Sequence, residues 1–158
     1  DKTTADSPAT TKATTENTTE APKKTYSCTI SIGCSTIFDN LELLRPEKKD
    51  YVPDDGVILG TVTATFEEGD TVFEVLKSVC RDYGIQLEYS WTPMYGSYYI
   101  EGIHKLYEFD CGDGSGWMYS VNGWFPNYGC SSYELKQGDV IKWLYTCDLG
   151  ADVGSEMH

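Results

Sequence analysis

Basic residues are scarce in this sequence. Twelve lysines and arginines stand against 25 acidic residues, which gives a formal net charge of −13 over 158 residues. A chain this acidic is repelled by phosphate backbones and anionic lipid surfaces, so nucleic acid is not an expected partner. The same charge attracts cations, which keeps a divalent metal site open as a hypothesis.

Long apolar runs are missing as well. No run approaches the ~18 residues that would span a bilayer. No signal peptide is recognisable, and Asp1 as the first residue is typical of a processed or trimmed chain. We therefore expect contact with a membrane only through an N-terminal anchor that has been removed or is missing.

Histidine is nearly absent, which weakens the case for an enzyme. His104 and His158 are the two histidines, and no Gly-x-Ser-x-Gly motif accompanies them. A histidine-dependent catalytic triad would have to use His104. No spacing singles out a carboxylate pair for glycoside hydrolysis among the 25 acidic residues. The sequence predicts a non-enzymatic binding protein.

Cysteine is abundant, but the Cys-x-x-Cys spacing of zinc and redox sites does not occur. Six scattered cysteines in a chain of this length indicate a disulfide framework in an oxidising compartment, with buried thiols as the alternative. The predicted bridges are Cys111–Cys130, Cys28–Cys147 and Cys34–Cys80. The first rests on a hairpin that would bring its flanks to a Cα separation of ~5.5 Å. The other two depend on the first and last strands being neighbours.

The N-terminal residues 1–24 differ in composition from the rest. They contain no aromatic residue and no aliphatic side chain larger than that of alanine. Such a segment cannot bury enough apolar surface to become ordered, and Thr-rich segments act as spacers. We expect a disordered stalk or linker over 1–24, with an inert tail as the alternative. Residues 25–150 then form the ligand-binding domain, and 151–158 a C-terminal tail.

Periodicity predicts several strands and one main helix. Apolar residues alternate with polar ones at 26–32, and 57–66 is rich in Val, Ile and Thr. Further strands are predicted at 85–91, 98–100, 117–121 and 140–147. The helix covers 70–83, because Thr71 and Glu74 form a capping box and Gly84 suits its C-terminal end.

This order of elements predicts an α+β fold in which one helix covers a mixed sheet. It fits a β-grasp-like domain, stabilised here by disulfides. In such a domain the first and last strands lie parallel and central in the sheet.

Aromatic residues surround a strong hairpin signal. Asn122 and Gly123 are the residues that best tolerate the positive φ angles of a type I′ turn. The surrounding aromatic side chains could stack on a corrin, a sugar or a peptide. The predicted ligand-binding residues here are Trp117, Tyr119, Asn122, Trp124, Phe125 and Tyr128. A second group, Trp91, Tyr95, Tyr98 and Tyr99, could form another face of the same groove.

Two interpretations remain open for Trp117 and Tyr119, because they could bind a ligand or pack in the core. Trp117 and Tyr119 could equally belong to the core, with only the segment 124–126 exposed.

A glycine-rich loop carries Asp110 and Asp113, and Asp148 and Asp152 follow the last strand. These four carboxylates could bind a divalent cation if their loops converge, or they could simply be solvated.

A motif over 116–123, Gly-Trp-x-Tyr-x-Val-Asn-Gly, is followed by the strand Gly-Asp-Val-Ile-Lys-Trp-Leu-Tyr at 138–145. Together with the helix segment 71–76, these residues resemble a bacterial domain of unknown function related to the C-terminal domain of transcobalamin and intrinsic factor. The resemblance covers roughly residues 26–150.

The resemblance implies a small-molecule ligand, with a corrinoid such as cobalamin as the named expectation. In the animal transporters the related domain closes over cobalamin that is bound to a helical barrel. In bacteria such domains are typically exported and often attached to the cell surface. The resemblance therefore favours a bacterial lipoprotein that is extracellular and tethered to the cell surface. We expect it to be a monomer. The alternative function is adhesion, in which Trp124, Phe125, Tyr98 and Tyr99 contact a protein or a glycan.

Overall fold

The computed structural model describes residues 24–155. The Thr-rich segment predicted to be a stalk lies outside the described residues except for Lys24, and so do the last three residues. The C-terminal tail predicted from residue 151 is described as far as Ser155, which is buried.

Seven strands and one α-helix occur within residues 24–155. In chain order they are β1 (Thr25–Gly33), β2 (Val57–Glu67), α1 (Val72–Tyr83), β3 (Leu87–Thr92), β4 (Ser97–Ile103), β5 (Leu106–Tyr107), β6 (Gly116–Val121) and β7 (Val140–Thr146). Short 3-10 helices cover Ser35–Leu43, Pro46–Tyr51, Cys130–Ser132 and Ala151–Val153. The α+β class is confirmed, with one main helix.

The larger sheet has the strand order β2-β1-β7-β6. β1 and β7 run parallel, with Ile30 opposite Ile141, while the two outer pairs are antiparallel. The first and last strands are therefore parallel and central, as the sequence predicted. Their alternation directs one apolar row of each strand into a shared core.

Strands β3, β4 and β5 form a separate sheet. This corrects the prediction of one mixed sheet covered by the helix. Short turns connect the three strands, so each pairs with its neighbour in sequence. Periodicity identifies a strand but does not identify its partner, which is why the separation into two sheets escaped the sequence.

Helix α1 begins and ends where its capping residues predict. The Thr71 backbone N–H donates to Glu74 Oε1 at 2.6 Å, and Gly84 adopts the left-handed conformation with φ of 68°. The buried face of the helix carries Val72, Phe73, Val75, Leu76, Val79 and Cys80. None of the described helices is long and apolar enough to cross a membrane.

Aromatic side chains connect the smaller sheet to the rest of the molecule through one ring stack and two hydrogen bonds. Tyr98 of β4 stacks on Phe73 of α1 with ring centroids 4.4 Å apart. The Trp117 Nε1–H donates to Leu106 O at 2.8 Å, and the Tyr145 hydroxyl donates to Tyr107 O at 2.7 Å. The gap between the sheets is thus fixed by aromatic side chains from β4, β6 and β7.

All six cysteines are buried free thiols, so the predicted bridges Cys111–Cys130, Cys28–Cys147 and Cys34–Cys80 are not found. The first prediction assumed that the chain returns alongside β6 after the turn at 122–123. Instead β6 pairs with β7, and after a single bridge at Trp124 the chain turns towards β4. Cys111 Sγ contacts Asn40 O, whereas Cys130 Sγ contacts Tyr98 O.

The other two pairs fail for reasons of register and location. In the parallel pair β1/β7, Thr29 lies opposite Val140, so Cys28 and Cys147 occupy opposite ends of the two strands. Eight strand positions separate them, about 26 Å at ~3.3 Å per residue. Cys34 has Asp55 and Cys147 as its electrostatic neighbours, whereas only burial affects the pKa of Cys80.

Capping of α1 can be tested by removing the Glu74 carboxylate. We expect Glu74→Ala to lower the free energy of unfolding by about 1 kcal/mol, because the Thr71 N–H loses its acceptor. Urea denaturation monitored by circular dichroism measures this change. Glu74→Gln is the matched control, since it keeps an amide oxygen at the same place. An alanine variant as stable as wild type would contradict the capping role.

The thiol state predicts a specific labelling pattern. Burial raises the pKa of Cys28 to about 11 and the pKa values of Cys34 and Cys80 to about 12, so these thiols stay protonated near neutral pH. Because the thiolate is the reactive form, we expect iodoacetamide to label the native protein slowly at pH 7.5. After unfolding in urea without reductant, mass spectrometry should find six labels. Fewer labels, restored to six by dithiothreitol, would show that bridges exist.

Candidate functional site

A pocket of about 680 Å³ lies between the smaller sheet and the edge of the larger one. Strand β4 supplies one wall with Ser97, Tyr98, Tyr99 and Ile100. Strands β6 and β7 supply the opposite wall, and a loop closes one end. The complete lining is Thr92, Tyr95, Ser97, Tyr98, Tyr99, Ile100, Trp117, Met118, Tyr119, Pro126, Asn127, Tyr128, Gly129, Cys130 and Trp143.

Strand pairing explains the wall built by β6 and β7. Tyr119 lies directly opposite Trp143 in the antiparallel register, and their ring centroids are 5.3 Å apart. Trp117 pairs in the same way with Tyr145, at 5.2 Å. Residues two apart on a strand face the same side, so Trp117 and Tyr119 share one face.

A network of hydrogen bonds holds the loop 126–131 against both walls. The Tyr119 hydroxyl donates to Tyr128 O at 2.9 Å, and Ser131 Oγ accepts from the Tyr98 N–H at 3.0 Å. Gly129 approaches Ser97 so closely that a Cβ atom there would lie 1.9 Å from Ser97 Oγ. The loop is therefore connected to β4 and β6 at once.

The pocket is lined by neutral side chains. Burial raises the pKa of the Tyr119 phenol, and burial together with the hydrogen bond to Glu108 raises the pKa of Tyr99. Both phenols therefore stay protonated near neutral pH. Trp143 Nε1 is buried without a hydrogen-bond partner among residues 24–155. The site can provide aromatic contact and hydrogen-bond donors, and its lining supplies no general base.

Six of the ten residues predicted to border the groove line this pocket, namely Trp117, Tyr119, Tyr128, Tyr95, Tyr98 and Tyr99. Four do not: Trp91, Asn122, Trp124 and Phe125. Trp91 packs edge-on against Tyr98, on the outside of the wall. Asn122 and Gly123 have the positive φ angles expected of the turn, and the Asn122 amide bonds to Asp139 and to the Val140 N–H. The two aromatic groups recognised in the sequence thus do border one pocket.

Trp143 is the most informative lining residue absent from the predicted site. Its alternation with Ile141 and Tyr145 was visible in the sequence, and pairing of β7 with β6 places it against Tyr119. Thr92, Ser97, Ile100 and Met118 are further additions, within or next to strands that the sequence predicted. Pro126, Asn127, Gly129 and Cys130 come from a loop that has no periodic pattern. Knowledge of the strand pairing would have identified Trp143, but no sequence signal identifies the loop residues.

The four carboxylates predicted as a metal site do not converge. Asp110 is buried in ion pairs with Arg45 and Lys48, each at 3.3 Å. Asp152 accepts from the Cys147 N–H at 2.8 Å and from the Thr146 hydroxyl. Among residues 24–155 no group of three or more ligand side chains could hold a metal ion. The prediction of a site from Asp110, Asp113, Asp148 and Asp152 is therefore wrong, because the first and last of these already have partners.

His104 does not contribute to the pocket. Its ring packs edge-on against Tyr51 with centroids 6.4 Å apart, and its φ of 56° places it in the turn between β4 and β5. The one histidine that a catalytic triad could have used thus contacts a tyrosine away from the pocket lining.

Residues 69–146 match the model of a domain of unknown function, DUF4430. This segment, 78 of the 158 residues, is similar to the DUF4430 family. This match runs from the residues before α1 to the end of β7, so it includes every residue that lines the pocket. The resemblance carried by the motif at 116–123 is confirmed. No curated protein matches the chain in sequence.

Two solved structures are similar to this chain. Haptocorrin, in a crystal structure in complex with Cbi, aligns with a TM-score of 0.53 and 16% identity over 82% of this chain. A protein of Ruminococcus gnavus ATCC 29149, described as a metal-binding candidate, aligns with a TM-score of 0.44 and 14% identity, covering 77% of this chain and 96% of its own. The alignment spans only 27% of haptocorrin, and at this identity the likeness shows the fold alone.

Gly129→Ala tests whether the loop closes the pocket. The new methyl group would collide with Ser97 Oγ, so we expect the loop to move away from β4 and the free energy of unfolding to fall by about 1–3 kcal/mol. Thermal unfolding measures the loss. Gly60→Ala is the matched control, because nothing lies within 4 Å of its added Cβ. Equal melting temperatures for the two variants would disprove the close approach.

Proposed function

We propose that this domain is a non-enzymatic module that binds one small, neutral and largely flat ligand between its two sheets. The observation that carries this proposal is the composition of the pocket lining. Seven of the fifteen lining residues are aromatic, and none of the fifteen has a charged side chain. The volume of about 680 Å³ lies within the range of roughly 300–1,000 Å³ that is usual for ligand pockets.

The pocket suits a flat ligand for physical reasons. Tyrosine and tryptophan side chains give a large contact area and lose little conformational entropy on binding. Here several of them are already held in place, since Tyr98 stacks on Phe73 and Trp117 and Tyr119 bond to backbone carbonyls. A preorganised wall lowers the entropic cost of binding.

The unpartnered Trp143 Nε1–H adds a chemical preference. A buried donor without an acceptor costs free energy, and a carbonyl oxygen of the ligand could supply that acceptor. A neutral acceptor is preferred over a carboxylate. The protein is strongly acidic, and the pocket lining has no cation that could compensate the negative charge of a carboxylate ligand.

A corrinoid is the specific ligand that we propose. A corrin ring is flat, and its rim carries neutral amides that can accept hydrogen bonds. The likeness in fold to part of haptocorrin, solved with Cbi, supports this choice, as does a sheet whose parallel first and last strands fit a β-grasp. The open pocket would hold one edge of the ring.

We further propose that the domain is displayed outside a bacterial cell as a monomer tethered by its N-terminal segment. Support comes from the composition of residues 1–24, which suits a spacer. The cysteines give no support, because they are free thiols. Export and the anchor are thus proposed on composition and resemblance.

A second candidate function is adhesion through the exposed aromatic residues. The β3–β4 hairpin presents Trp91, Met94 and Tyr95 to solvent, and Trp124 is exposed on the loop after β6. Exposed aromatic surface of this kind is typical of contact sites for proteins or glycans. Pull-down from a cell-envelope or mucus extract, with Trp91→Ala as the variant, tests it. Undiminished capture by this variant would rule out the hairpin as the contact.

Titration with cobinamide tests the proposed ligand. We expect saturable binding by calorimetry and by a change in absorbance, and a loss of at least about fivefold in affinity for Tyr95→Ala, because this residue lines the pocket. Tyr83→Ala is the matched control, since Tyr83 is also an exposed tyrosine, 54% accessible, but lies at the end of α1 outside the pocket.

Two results would separate the parts of the proposal. Absence of cobinamide binding at millimolar concentration would remove the corrinoid and leave the pocket available for other neutral ligands. Equal losses of affinity in Tyr95→Ala and Tyr83→Ala would show that cobinamide binds elsewhere, and this would remove the pocket as the site.

A further inference from the structure

Three aromatic rings form a compact cluster on the surface beside the pocket. Trp124, Tyr128 and Tyr133 have ring centroids separated by 6.2, 6.3 and 6.4 Å, so the three centroids make a nearly equilateral triangle. Trp124 is 54% exposed and Tyr128 is 44% exposed. We call these three side chains the aromatic triad. Its ligand would differ from that of the pocket, which shares only Tyr128 with it.

The turn after β6 and the short 3-10 helix bring the triad together. Trp124 is fixed by reciprocal backbone hydrogen bonds with Val121, at 3.0 and 2.8 Å. Tyr128 supplies the backbone oxygen that accepts from Tyr119, and the Tyr133 backbone oxygen accepts from the Val72 N–H. Three separate contacts to the fold therefore hold the triad.

The size of the triangle matches a bulky cation. A cation on the triangle's axis, roughly 3 Å above the plane of the centroids, would lie about 4.7 Å from each ring centre, within the ~6 Å limit for a cation–π contact. Tyr128 and Tyr133 are inclined by only 17°, while Trp124 stands at 68° and 52° to them. Two nearly parallel rings and one transverse ring resemble the aromatic cages that bind quaternary ammonium groups.

A buried negative charge lies next to the triad. Asp139 is 6% exposed, and it accepts hydrogen bonds from the Asn122 amide and the Lys136 N–H, each at 2.9 Å. Within residues 24–155 it takes part in no ion pair. Burial, followed by the charge of Asp139, raises the pKa of the Tyr133 phenol. Buried carboxylates are usually paired with a cation, so this one leaves a negative charge uncompensated at the site.

We propose that Trp124, Tyr128 and Tyr133, together with Asp139, bind a quaternary ammonium group such as that of choline or a trimethylated lysine. The ring quadrupoles attract a cation, and a quaternary ammonium is weakly hydrated and loses little on leaving water. The net charge of −13 favours its approach over long distances. A neutral group of the same shape gains neither contribution.

The test compares choline with 3,3-dimethyl-1-butanol, which has the same shape and no charge. Binding to the whole protein is followed by the upfield shift of the methyl protons in NMR and by Trp fluorescence. We expect choline to bind in the millimolar range and the alcohol to bind at least about tenfold more weakly. Equal binding of the two, or no choline binding up to about 100 mM, would overturn the proposal.

Variants locate the site. Trp124→Ala should weaken choline binding about two- to fivefold, as expected for one exposed cation–π contact. Tyr133→Phe keeps the ring and should bind choline as wild type does. Trp91→Ala, which removes an equally exposed tryptophan outside the triad, is the matched control. Unchanged binding in Trp124→Ala, with far-UV circular dichroism confirming that it is folded, would overturn the assignment.

Choline binding by the aromatic triad does not depend on which ligand the pocket binds. Tyr95→Ala alters the pocket wall and leaves the triad intact, so it should bind choline normally whether or not it has lost cobinamide. A parallel loss of choline binding in Tyr95→Ala would mean that choline occupies the pocket, and the triad would no longer be the cation site.

Discussion

The parallel pairing of β1 with β7 is the contact on which the rest of this structure depends. It joins the first and last strands of the described chain, so every element between them must fold back onto one core. Ile30 and Ile141 lie opposite each other in that core, and they are 1% and 0% exposed. Since β7 also pairs with β6, the same contact places Trp143 against Tyr119 and so creates one wall of the pocket.

The second sheet gives the pocket its other wall. Aromatic contacts connect the two sheets. Trp117 and Tyr145 also donate hydrogen bonds to the backbone oxygens of the two residues of β5. These side chains are large and their polar ends are bonded, so they support the space between the sheets without filling it. A strongly acidic protein thus contains a neutral aromatic pocket, and it carries its exposed aromatic triad next to a buried carboxylate.

Prediction from the sequence succeeded wherever the signal was local. The capping box at Thr71 and Glu74 and the left-handed Gly84 gave the ends of α1, and Asn122 and Gly123 gave the turn. These features depend on φ preferences and on hydrogen bonds between residues three or four apart. The disulfide and metal predictions failed because each required distant residues to meet. For Cys28 and Cys147, the register of one parallel strand pair decided the matter.

By itself the sequence determined six of the seven described strands, the helix, the α+β class and the aromatic character of the site, because periodicity, capping and composition act over a few residues. The two-residue strand β5 was not predicted, since it is too short to show a periodic pattern. Only the tertiary structure decided that the strands divide between two sheets, that Tyr98 and Tyr119 face one pocket, and that Trp124 stands outside it with Tyr133. The physical reason is that strand pairing is a contact between backbones. Side-chain pattern selects the buried face of a strand, but it leaves open which other strand supplies the opposite wall.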